Sequence, residues 1–264
     1  MKQTLGVVAL GLGLLTVVAA AQDMMSHVDL SSPDMTSAEM TRTEVEAALA
    51  GATAAKPADF SGKRLSGLDL SGLDFAGAVF RAARLNRTKL AGAKLDCAIF
   101  DQAWLIEADL TGASLQGASL FASQMRRARL DGADLSQARV AADLTGASLI
   151  GASIAGANLG ADMRNQSMGL MRAVLKSARL DRLKAHGANL SRVDLEFASL
   201  QGADLSEASL KGAQLGGADL TGASVAGADF EGADLASARL RELRGLERAR
   251  NFDKAKNRDR AITE

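Results

Sequence analysis

Large apolar residues recur every five positions through most of this chain. Leu, Phe or Met stands at each fifth position from Phe60 to Leu135 without a slip. A fixed internal period of this kind marks a solenoid, in which short units stack and bury a continuous core. The stretch ADLTGASLQGASLFASQM, Ala108 to Met125, shows the unit: a small residue, a polar residue, Leu, then two small or polar residues. With 26 Gly, 2 Pro, no Tyr and 3% aromatic residues, the core has to be built from small and aliphatic side chains.

The period divides the 264 residues into four parts. Residues 1–21 have the features of a secretory leader: Lys2, an uncharged apolar run from Leu5 to Val18, and the small residues Ala19, Ala20 and Ala21. Cleavage after Ala21 predicts a periplasmic or secreted protein, with no membrane span once the leader is removed. The apolar run is short against the ~20 residues a spanning helix needs. Residues 22–59 form a linker and a short helix. Residues 22–40 are polar, rich in Met and aperiodic, and read as flexible. Thr41 and Glu44 have the spacing of a capping box, Val45, Ala48 and Leu49 give an apolar stripe, and Gly51 ends the helix. The repeat array occupies 60–240, with breaks at 140–144, where one step is four residues, and at 160–169, where the pattern is lost. Residues 241–264 are charged and read as a cap over the last apolar layer followed by a frayed tail.

The units ADLTG, ANLSR, ADLSE and ADFEG resemble those of the pentapeptide-repeat family, and the resemblance covers about two-thirds of the chain. It implies an all-β fold: a right-handed quadrilateral β-helix, four units to a coil, with short helical caps at both ends. About nine coils at the ~4.8 Å strand spacing make a rod about 40 Å long.

Twenty residues per coil can be tested on the sequence. Phe60, Phe80 and Phe100 would fall in one internal column, and Asp69, Lys89, Asp109 and Arg129 in one external column of alternating charge. Opposite charges on neighbouring strands stabilise by roughly 0.2–1 kcal/mol per pair. The residue two before each apolar centre is Ala in nearly all units, as a tight inward corner would require; Leu68, Leu73, Leu183 and Val193 are large exceptions.

Chemistry is scarce. His27 and His186 are far apart, Cys97 is the single cysteine, and no nucleophile triad, phosphate loop or dinucleotide turn occurs. No catalytic, cofactor-binding or metal site is expected. Met24, Met25, His27 and Met35 are ligand types that suit copper, but they sit in the aperiodic leader. The many Asp residues read as a solvated face. Arg164, Arg172, Lys176, Arg179, Arg182 and Lys184 precede a mostly acidic stretch, so the rod should be electrically polar along its axis.

The candidate partner surface is apolar. Trp104 is at an outward position twenty residues after Arg84, an arrangement that suggests a cation–π contact. Val79, Ile99, Ile106 and Phe121 should point outward nearby, and a contiguous patch of this kind suggests a protein partner unless a loop or the N-terminal segment covers it. The expected function is a non-catalytic binding or scaffold rod with an unknown protein partner. Homodimerisation is left open and no nucleic acid partner is expected. The alternative implied by the resemblance, a DNA-mimicking gyrase binder, conflicts with a formal net charge of +0 and with export.

Overall fold

The five-residue unit folds as a side and a corner of a square. The computed structural model describes residues 28–53, 55–161 and 171–264. Of the unit Met1–Leu30 only the last three residues are described; the other unit, Ser31–Glu264, carries the repeats. The leader, Met24, Met25, His27 and most of the 160–169 break lie outside the described residues.

In each unit the apolar centre points inward and is fully or nearly fully buried, as at Leu65, Leu70 and Phe75. Its carbonyl accepts a hydrogen bond from the amide three residues on, for example Ala78 to Phe75 at 2.9 Å. The second corner residue has positive φ, as at Gly62 (67°) and Ala82 (53°), which gives the corner type II character and favours Gly without demanding it. The next residue returns inward, and a polar residue follows that faces out.

Parallel bridges connect these outward residues at twenty-residue steps: Arg64 to Arg84 to Trp104, Asp69 to Lys89 to Asp109. Four such columns, starting at Asp59, Arg64, Asp69 and Asp74, form the four sides. The aromatic ladder is present. Phe60 and Phe80 stack at 5.2 Å, and Phe80 and Phe100 at 4.7 Å and 3°. The alternating charge column forms ion pairs, Lys89–Asp69 and Arg129–Asp109 at 3.6 Å each, but all of these side chains except the part-buried Asp109 are exposed and each pair adds at most about 1 kcal/mol. The polarity expected along the second block is partly neutralised by pairs such as Lys176–Glu196 at 2.7 Å and Lys211–Glu231 at 2.9 Å.

The four-residue step removes one corner residue. Ala141 alone separates Val140 from the inward Ala142, and the ladder continues through Gln124–Asp143 and Arg129–Ser148. The 160–169 break enlarges one coil, because Asp143 bridges Val174. The inward corner is less restrictive than an Ala rule allows. Leu183 and Val193 are fully buried there, and Leu183 lies beside the undersized centre Ala185, so that two positions exchange volume.

Both ends differ from the sequence reading. Residues 31–40 are not a free linker: α1 (Pro33–Thr36) buries Met35, and Ala38 bridges Leu65 antiparallel. Aperiodic residues can still bury apolar side chains against an existing edge. α2 (Arg42–Ala50) starts with the expected capping box, Thr41 donating its amide to Glu44 Oε2 at 2.7 Å. Val45 is buried in the core and Leu49 packs on it, but Ala48 is exposed, so the stripe is narrower than expected.

At the other end no frayed tail occurs up to Ile262. The bridges Ser224–Arg244, Asp229–Arg250, Asp234–Lys256 and Arg239–Ile262 close one more coil, whose steps are six residues. Its corners are the 3₁₀ turns Leu246–Arg248, Phe252–Lys254 and Arg258–Arg260, each preceded by a left-handed residue: Gly245, Asn251 and Asn257. Ala249, Ala255 and Ala261 pack inward.

Candidate functional site

The expected partner residues occupy two adjacent sides of the square and two corners. Arg84 and Trp104 lie in the column that starts at Arg64, and Val79 and Ile99 in the adjacent column that starts at Asp59. Phe121 stands on the corner between these sides, and Ile106 on the corner beyond Trp104. The six residues therefore form one continuous surface. Its exposure is uneven: Val79 is 9% exposed and Ile106 8%, while Ile99, Trp104, Phe121 and Arg84 are part-exposed. Val79 and Ile106 were expected to be open and are not.

The N-terminal segment covers part of this surface. Asp34 Oδ1 pairs with Arg64 at 2.9 Å, and Glu39 lies 3.4 Å from the same guanidinium. Asn86 donates its side-chain amide to the Met35 carbonyl at 3.0 Å and accepts from the Ile106 amide at 3.0 Å. Asn86 is buried, and the sequence reading missed it: a polar residue at a corner looks like any other until a second layer is known to lie over it. Met35 is packed in this layer, so its thioether is not an open ligand.

The expected cation–π contact does not form between Arg84 and Trp104. They are bridged in register, with the Leu85 amide donating to the Trp104 carbonyl at 2.6 Å. In-register side chains run side by side, so a cation reaches a ring face from a diagonal position. Arg139 does so over Phe121 at 4.4 Å, and Lys176 over Phe197 at 5.7 Å. Arg84 is left with a buried Nε that has no hydrogen-bond partner, and among the described residues no carboxylate lies within 4.0 Å of its guanidinium. A buried donor without a partner costs about 1–3 kcal/mol.

The aspartates are not an idle solvated face. Those preceding a centre cap their own corner: the Ser71 amide donates to Asp69 at 3.1 Å, the Thr111 amide to Asp109 at 3.1 Å and the Thr221 amide to Asp219 at 3.0 Å. A second set, following a centre, caps the next coil. Asp96 accepts from the Ser114 hydroxyl and from the Gln116 amide at 2.9 Å; Asp131 accepts from Ser148 and from the Ile150 amide at 2.9 Å; Asp181 accepts from Ser199 and from the Gln201 amide at 3.2 Å. At Ser114, Ser148 and Ser199, which replace Asp before the centre, the cap comes from the coil below.

These bonds favour the charged form. The Ser71 hydroxyl and amide hold the Asp69 carboxyl below its ordinary range. At Asp219 burial acts the other way, but the Thr221 hydroxyl and amide and the Gln201 side chain outweigh it, and the pKa is lowered. Carboxylates tied up in this way are poor proton donors near neutral pH. Among the described residues no three His, Cys, Asp or Glu side chains gather as a metal site. Cys97 is exposed at a left-handed corner and makes no disulfide. The arrangement suits binding, through a part-apolar surface on which Arg84 keeps an unpartnered buried Nε.

The comparisons with known proteins agree with this geometry. The family model for pentapeptide repeats matches residues 58–96, 98–137 and, in overlapping copies, 170–244. Among solved structures, the chain is similar to HetL, a pentapeptide repeat protein involved in heterocyst differentiation regulation in the cyanobacterium Nostoc sp. strain PCC 7120. The identity is 32%, with 84% of this chain and 94% of that chain covered and a TM-score of 0.50. A second similar structure is QnrB1, a plasmid-mediated fluoroquinolone resistance protein, at 20% identity, 71% and 92% coverage and a TM-score of 0.45. A comparison with curated protein sequences finds no match.

Proposed function

Because this chain belongs to the pentapeptide-repeat family, whose members are right-handed quadrilateral β-helices and generally structural or binding proteins, we propose that it is a non-catalytic, exported binding rod that docks a protein partner on the side bearing Trp104. The observation that carries this reading is Arg84. Its Nε is buried without a partner, and the residue bridged to it is Trp104. A partner that brings a carboxylate to Arg84 and an apolar side chain to Trp104 would satisfy the orphan donor and cover the patch. The capped aspartates support the non-catalytic part. Export rests on Lys2, the apolar run and Ala19–Ala20–Ala21.

Two measurements test this. N-terminal sequencing of the native protein after fractionation should give a start at Gln22 outside the cytoplasm; an intact Met1 in the cytoplasm overturns the export reading and makes a gyrase-binding assay the next step. A photo-crosslinking residue at position 104 in the native compartment should trap one discrete partner, and Arg84→Ala should reduce the yield at least five-fold. No adduct at 104, or an adduct insensitive to Arg84, removes the proposed side.

A further inference from the structure

The six-residue coil carries more positive charge than its ion pairs among the described residues neutralise. Residues 244–262 hold seven Lys or Arg against three Asp or Glu. The coil's own ion pairs are Arg248–Glu247 at 3.4 Å and Arg250–Glu207 at 4.0 Å. Arg244, Lys254, Lys256, Arg258 and Arg260 are exposed with no carboxylate within 4.0 Å among the described residues, although Asp234 lies near enough to Lys256 and Arg260 for their charges to lower its pKa. Apolar side chains stand among these cations. Leu246 is 36% exposed and Ile262 40%, and Phe252, with Arg258 5.8 Å over its ring, is half-buried.

The opposite end is closed differently. There Val45 of α2 enters the core, and Asp34 and Glu39 pair with Arg64 and Lys63. The terminal coil receives no such cover from the described residues. Its Arg244, Arg250, Lys256 and Ile262 amides donate back to the coil below, so its forward edge is open. Charge alone protects an open sheet edge from pairing. Exposed Leu246 and Ile262 weaken such protection, so edge protection does not account for them.

We propose that this end docks on an anionic lipid bilayer. Arg244, Lys256 and the corner cations Lys254 and Arg260 meet lipid phosphates, while Leu246 and Ile262 enter the interface. Clusters of four to eight Lys or Arg bind anionic leaflets, each cation adding to the attraction. Apolar side chains beside them anchor a peripheral protein by the acyl area they bury. A nucleic acid supplies phosphates but no medium for exposed Leu and Ile. The inference is independent of the Trp104 surface, which is built by other coils.

Flotation of the purified protein tests it, with vesicles of phosphatidylcholine alone and with about a third phosphatidylglycerol. Binding to the anionic vesicles is expected at 50 mM salt and should be lost at 500 mM. Lys254→Glu with Arg260→Glu should lower the partition coefficient about 30-fold or more. Arg182→Glu with Arg192→Glu, the same charge change in mid-rod, should lower it less than three-fold. Leu246→Ser with Ile262→Ser should lower it several-fold while melting and circular dichroism stay near the parent. Equal binding to neutral vesicles, no binding to anionic ones, or equal loss in the two charge-reversed pairs overturns the proposal. Tighter binding to duplex DNA at matched phosphate concentration also overturns it, in favour of a nucleic acid surface.

Discussion

Phe197 lies across Gly217 so closely that a Cβ added to Gly217 would come within 2.6 Å of the ring. Phe197 is 62% exposed, carries Lys176 over its other side and has φ 59°, so its ring is held on the surface by the coil above. Gly202 has nearly the same backbone, φ 64°, but a Cβ there would meet only Arg182 Cγ at 3.8 Å. Gly202→Ala should therefore cost about 1 kcal/mol from left-handed strain alone. Gly217→Ala should cost about 2 kcal/mol, because the ring must also move. Phe197→Ala in the Gly217→Ala background should recover the difference, read as a double-mutant cycle by thermal or denaturant unfolding.

Acid should unfold the rod by removing its corner caps. Asp69, Asp134, Asp219 and Asp234 all have lowered pKa values. At Asp234 the Asn257 amide is the leading cause. A carboxyl whose folded pKa is depressed adds stability above its unfolded value of about 3.9, and that stability is lost as pH falls through the folded value. The melting temperature should be flat from about pH 7 to 5 and fall steeply below about 4. Asp219→Asn should flatten part of that fall, and an unchanged acid limb would rule out the caps as its origin.

The phenylalanine column should dominate the stability of the first coils. Phe80 stacks on Phe60 and Phe100 and meets Phe75 edge-on at 5.4 Å. Phe80→Ala leaves a cavity with aromatic walls and should cost about 3–5 kcal/mol. Phe100→Leu, at the end of the column, should cost far less, about 1 kcal/mol. Comparable losses at the two positions would contradict a cooperative stack.

The six-residue coil depends on its asparagines for two separate reasons. Asn257 has φ 53° and donates to Asp234 at 2.8 Å; Asn251 has φ 54° and donates to Asp229 at 2.9 Å. Asn257→Gly keeps the backbone and loses the bond, at about 1 kcal/mol. Asn257→Ala loses both and should cost about 2 kcal/mol. Amide exchange at Ile262, whose amide bonds the Ala238 carbonyl at 2.8 Å, should report the loosening before global melting changes.

What the sequence disclosed was whatever repeats. Leu and Phe every fifth residue place the core, and Phe60, Phe80 and Phe100 fall in one column because four steps of five close a turn. Departures from the period were harder to read. Asn86 and Met35 meet across fifty-one residues, and nothing local in either marks the other. Asp69 precedes a centre and Asp96 follows one, but that the first caps its own corner and the second the coil above depends on Ser114, twenty residues on from Lys94. The terminal coil did leave a signal: Gly245, Asn251 and Asn257 are six apart, as are Ala249, Ala255 and Ala261. A search at a period of five cannot find it. On the Trp104 surface the sides were legible from register, but the burial of Ile106 was not, since it depends on what lies beside Asn86.

The cross-coil caps give the stack a direction. Asp96, Asp131 and Asp181 each complete a turn belonging to the coil that follows, through Gln116, Ile150 and Gln201. A coil laid down on its predecessor finds an acceptor already in place, whereas a coil formed in advance of it has a bare amide at that corner. Removing coils from the C-terminal side takes the cap donors away with them, although the centre and corner amides of the coil left behind, such as those of Leu220 and Gly222, lose their carbonyl acceptors. Removing them from the N-terminal side strands the donors. At these three corners the acceptor belongs to the earlier coil and the amide to the later one, so losing Asp96, Asp131 or Asp181 loosens the neighbouring coil and leaves its own corner intact.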